Sequence, residues 1–168
     1  MAKQQTILKS VSLKGVGIHS GNEVNLTFKP AEDNFGYAFC RMDMPDKPII
    51  EADINYVVNT KRGTTLEKDG INIQTSEHVL AALVGLEIDN VLIELDAAEP
   101  PIMDGSSKYF VEALIKAGIK EQNEDRVEYI VKDVISFYDE DSGSDITVIP
   151  SKFYEITTMV DFGTKILG

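Results

Sequence analysis

No stretch of the chain constrains its fold more than the run from Ile71 to Leu95. Ile71-Asn72-Ile73-Gln74 reads as a short strand, and Val79, Leu80, Leu83, Val84 and Leu86 then recur at helical spacing. Val91-Leu92-Ile93-Glu94-Leu95 follows as a strongly apolar second strand. Strand, helix and strand in that order predict a crossover that lays a helix over 76–86 on one face of a sheet. Thr75 or Ser76 can cap this helix, and Ala81 and Ala82 permit close packing. Its first turn carries Glu77 and His78. A carboxylate beside a metal-ligand histidine is the pairing with which hydrolases generate and use a bound water. A charged first turn also complements the helix dipole with no chemistry attached, so the pair becomes informative only through its surroundings.

The rest of the chain predicts a sheet for that helix to cover. Val24, Leu26 and Phe28 alternate with polar residues until Pro30, and Ile7, Val11 and Leu13 suggest a preceding strand. Gly15-Val16-Gly17-Ile18-His19-Ser20-Gly21 between them matches no phosphate-binding spacing and reads as a tight hairpin with His19 at its tip. A third strand is expected over 37–42 and extended chain over 49–58, followed by a basic corner at Lys61-Arg62. Lys61 and Arg62 are either solvated loop charges or a contact for an anionic substrate group. Asp104-Gly105-Ser106-Ser107 offers the turn and cap for a second helix. Phe110, Ala113, Leu114 and Ala117 give that helix one apolar face, and Gly118 is placed to end it. The acidic stretch Glu121-Gln122-Asn123-Glu124-Asp125 reads as a domain boundary, giving domains over 1–122 and 127–168. Strands are expected over 127–138, 146–149 and 153–162, with no helix to cover them, so the second domain reads as truncated.

Charge and cysteine usage narrow the function classes. With 16 Lys and Arg against 28 Asp and Glu, the formal net charge of −12 argues against broad binding of nucleic acid or anionic membranes. Cys40 is the single cysteine, so a reducing compartment is expected. No secretory signal and no apolar run of membrane-spanning length is present, and a cytoplasmic location follows as the expectation.

Four blocks carry a resemblance to a known family: 15–21, Thr75-Ser76-Glu77-His78-Val79-Leu80-Ala81-Ala82-Leu83, Gly85-Leu86-Glu87-Ile88-Asp89-Asn90-Val91, and Glu99-Pro100-Pro101-Ile102-Met103-Asp104-Gly105-Ser106. In order and spacing they resemble the N-terminal half of the zinc-dependent UDP-3-O-acyl-N-acetylglucosamine deacetylases, which catalyse the committed step of lipid A biosynthesis. The resemblance implies an α+β fold: a two-layer sandwich of mostly antiparallel sheet with two helices packed on it, the first of two similar domains. It implies Glu77 as general base and His78 as a Zn2+ ligand, with Ile18 and His19 lining the substrate region. Lys61 takes a position near the acyl passage that is often apolar in relatives, and Ser76 replaces a common valine. The implied partner is a UDP-linked acylated amino sugar, and some relatives carry a fused dehydratase of fatty-acid synthesis. The family's remaining zinc ligands form a His-x-x-x-Asp motif that does not occur up to Gly168, where the only histidines are His19 and His78.

The 168-residue chain by itself is therefore expected to be inactive, and the competing reading is a non-catalytic α+β fragment that does not hold zinc. A third reading, a thiol hydrolase using Cys40, is disfavoured because Cys40 sits in a strand-like run where a cysteine is usually buried and inert.

Overall fold

Alternating burial organises the central sheet. In this computed structural model, which describes residues 2–160, the order is β1 (Lys3–Ile7), β2 (Val11–Val16), β3 (Glu23–Pro30), β4 (Tyr37–Arg41), β5 (Ile49–Glu51), a 3-10 turn (Ile54–Tyr56), β6 (Val57–Asn59), β7 (Thr65–Lys68), β8 (Ile71–Ile73), α1 (Glu77–Gly85), β9 (Val91–Leu95), α2 (Lys108–Ala117), β10 (Ile119–Asp125), β11 (Ile135–Asp139) and β12 (Ser144–Val148). A five-stranded sheet runs β2-β3-β9-β4-β5, antiparallel throughout except for the parallel β4–β9 pair. Its register places Val11, Phe28, Ile93, Phe39 and Ile50 in one row across all five strands. Phe28, Ile93, Phe39 and Ile50 are buried, and burial of each such side chain contributes about 1.5–3 kcal/mol. The neighbouring positions carry polar pairs, Ser12 with Thr27 at 2.8 Å and Lys29 with Glu94 at 2.8 Å.

The two helices close the apolar side. Phe110, Ala113, Leu114 and Ala117 of α2 are all buried, as their spacing predicts, and Phe110 meets Phe28 edge-on with ring centroids 6.4 Å apart. Helix α1 buries Val79, Ala82 and Leu83 in the same cluster, whereas Val84, expected on the apolar face, is exposed. Mostly antiparallel sheet under two helices makes the fold an α+β sandwich.

One expectation about connectivity is corrected. The strands flanking α1 do not share a sheet: β8 is the edge of a separate sheet β6-β7-β8, while β9 lies at the centre of the larger one. The hairpin at Asp69-Gly70 is the reason. Both residues have positive φ, 54° and 77°, the conformation of a tight two-residue turn, and this folds β8 back onto β7 before α1 begins. The acidic stretch 121–125 at the expected boundary forms most of β10, which pairs antiparallel with β1. Two of its polar side chains find partners. Lys3 lies 2.8 Å from Asp125, and Gln122 accepts a hydrogen bond from Asn90 at 2.8 Å and donates to the Ala31 carbonyl at 3.0 Å.

The chain divides into two compact units, Met1–Arg126 and Val127–Gly168. Within the second, β11 and β12 form an antiparallel hairpin in register from Ile135↔Val148 to Asp139↔Ser144. The first strand expected there begins at Ile135 rather than at 127, and residues 153–160 form no strand. Residues 161 and 162 of the third expected strand lie outside the described residues. Phe137, Ile146 and Val148 of the hairpin are exposed.

Candidate active site

The start of α1 is built from an unusual junction. Thr75, a β-branched residue, adopts φ 52°, a conformation such side chains rarely take, and this turns the chain from β8 into the helix. Neither Thr75 nor Ser76 makes the expected side-chain cap. Ser76 stands at the N-cap in helical conformation and donates its hydroxyl to the Thr64 carbonyl at 3.0 Å, with its backbone N–H donating to the same carbonyl at 3.1 Å. Thr75 donates its hydroxyl to Glu99 at 3.1 Å. The helix start is therefore anchored sideways to the 62–64 corner rather than closed on itself.

Glu77 and His78 occupy the first turn, half-buried, with Glu77 Oε1 3.8 Å from His78 Nε2. Glu77 Oε2 accepts the Thr64 backbone N–H at 2.8 Å, which fixes one carboxylate oxygen and leaves Oε1 on the His78 side. The His78 carbonyl accepts the Ser107 hydroxyl at 2.8 Å, tying α1 to the head of α2. Beside this turn a cavity of about 390 Å3 is lined by His19, Lys61, Arg62, Gly63, Gln74 and Thr75, among others. His19 and Lys61, distant in sequence, thus face one cavity, and the His19 ring nitrogen Nε2 lies 3.2 Å from the Arg62 carbonyl. Ile18 is exposed and is not part of that lining.

Sequence reasoning assigned no role to Glu99, yet it is 1% exposed and central to this junction. Burial pushes its carboxyl up, and hydrogen bonds from Ser20, His19 and Thr75 outweigh that, holding it below the usual carboxylate range. The available signal was an acidic residue directly ahead of Pro100-Pro101, inside one of the four matching blocks.

The donor set tests whether a metal fits. Among the described residues no three His, Cys, Asp or Glu side chains converge on a metal position. His78 is one imidazole with a carboxylate beside it, so these residues offer one ligand and do not make a complete metal site. Cys40 lies buried in β4, where burial pushes its thiol up, opposite to what a nucleophilic thiolate needs.

Comparison with known proteins defines the class: the family model described as UDP-3-O-acyl N-acetylglycosamine deacetylase, LpxC, matches residues 4–168, and the chain belongs to that family. It is 46% identical over 165 residues to the bifunctional enzyme LpxC/FabZ of Chlorobaculum tepidum, covering 98% of this chain and 35% of that protein. It is 40% identical to the UDP-3-O-acyl-N-acetylglucosamine deacetylase of Myxococcus xanthus, covering 95% of this chain and 50% of the relative. The corresponding enzyme of Histophilus somni is 42% identical, with 100% and 55% covered. The chain thus spans between about a third and somewhat over half the length of these curated relatives.

Proposed function

We propose that the whole protein hydrolyses the N-acetyl group of a UDP-3-O-acyl-N-acetylglucosamine, as a zinc-dependent deacetylase of lipid A biosynthesis. Family membership supports this, and the observation that carries it is the Glu77–His78 pair on a fixed helix start beside a cavity. His78 is the one zinc ligand these residues contribute, the others coming from elsewhere in the whole protein. Zinc supplies Lewis acidity and lowers the pKa of water. Glu77 acts at Oε1: with Oε2 held by Thr64, it takes the proton of the attacking water and passes it to the leaving amine. His19 and Lys61 orient the substrate from the cavity wall. These residues alone are expected to be inactive, because among those described one imidazole is not a complete zinc site.

The same reading places the protein in the cytoplasm, with Cys40 reduced. No helix among the described residues is long and apolar enough to cross a membrane. A fused fatty-acid dehydratase is a proposed partner domain of the whole protein, since relatives named LpxC/FabZ match this chain.

The test is metal removal from the whole protein. Mass spectrometry of the UDP-sugar should show loss of one acetyl group, abolished by a chelator and restored by added zinc. Undiminished deacetylation after exhaustive chelation would remove zinc from the mechanism.

A further inference from the structure

Glu99 joins two segments that meet at the cavity. Its Oε1 accepts the His19 N–H at 3.1 Å and the Thr75 hydroxyl at 3.1 Å, while Oε2 accepts the Ser20 N–H at 2.8 Å and the His19 N–H at 3.2 Å. Both oxygens are committed, so an amide in this place leaves donors facing an NH2 whichever way it is turned. The hairpin tip is shaped around the carboxylate: a Cβ on Gly17 would clash with Glu99 Oε2 and Ser20 Oγ, which makes glycine a requirement of close approach. At its other end the carboxylate holds Thr75, whose left-handed backbone directs the chain into Glu77.

We propose that Glu99 is a positioning residue of the deacetylase: its buried carboxylate fixes the His19–Ser20 backbone against Thr75 and thereby sets the His19 side chain on the cavity wall beside the Glu77 helix. This role rests on the deacetylase reading for its effect on turnover, but not for its effect on structure. Buried as it is, Glu99 acts only through its neighbours. It acts through His19, and that separates it from a carboxylate that merely stabilises the fold.

The experiment has two arms, both on the whole protein carrying Glu99→Gln. In the first, amide hydrogen exchange at His19 and Ser20 should accelerate by about tenfold or more while α2 and β9 keep their protection. Unchanged exchange at both amides overturns the proposal, and this arm is decisive even if the wild-type protein proves not to be a deacetylase. In the second, E99Q should lower kcat/KM by about tenfold to a hundredfold, as a displacement near 1 Å does. In a His19→Ala background the same change should produce a further loss within about twofold, because the two act as a unit. Full additivity of E99Q and H19A overturns the route through His19. Should E99Q fail to fold, Thr75→Val removes a single donor and is carried through both arms with the same direction expected; no change in either arm overturns the proposal.

Discussion

Replacing Glu77 by Ala in the whole protein is expected to cut turnover by about two orders of magnitude or more, the usual weight of a positioned general base, with zinc still bound. The geometry supports the expectation that so small a change is costly. The carboxylate sits in a helix first turn whose backbone is pinned by Ser76 to Thr64, and one of its own oxygens is pinned by the Thr64 N–H. That leaves a single oxygen in a defined direction beside His78. On the proposed mechanism, loss of Glu77 takes away the proton acceptor and leaves the imidazole in place, so activity and zinc content should separate. Turnover of E77A within a few-fold of wild type contradicts the general-base role. Zinc lost in parallel with activity instead assigns Glu77 to holding the metal.

The largest effect on stability is expected from Phe110→Ala, at about 3–5 kcal/mol. Phe110 is fully buried on α2 and stacks edge-on against Phe28, which belongs to the row of large side chains spanning the five-stranded sheet. Truncation leaves a cavity between helix and sheet that neither rigid element can collapse to fill. In urea the midpoint should fall with little change in slope, and Phe110→Leu, which keeps more of the volume, should lose clearly less. Specific activity per folded molecule should be nearly unchanged, because Phe110 lies outside the cavity lining. A Phe110→Ala loss below about 1 kcal/mol contradicts this packing.

What could be read from sequence divides along the range of the interactions. The hairpin around Val24, Leu26 and Phe28 and the helix through Phe110, Ala113, Leu114 and Ala117 follow from local period alone, and both are present. The sheet membership of Ile71–Ile73 depended on a turn signal, Asp69-Gly70, that outweighs the strand-helix-strand pattern downstream. β10 was hidden because an edge ribbon satisfies its backbone with β1, about 120 residues away, and needs no apolar alternation. At the site, Glu77 and His78 are adjacent in sequence and so were visible. The role of Glu99 was not, since it exists only once the fold brings positions 19, 20 and 75 around one carboxylate. Ile18, implied by family resemblance, lies off the cavity that His19 and Lys61 share.

The most direct measurement is a crystal structure of the whole zinc-loaded protein with anomalous data at the zinc edge. Glu77 as base and His78 as ligand predict a zinc peak about 2.0–2.1 Å from a ring nitrogen of His78, with a Glu77 carboxylate oxygen facing the open coordination position. A fully occupied zinc held elsewhere, with His78 and Glu77 free of it, contradicts the assignment.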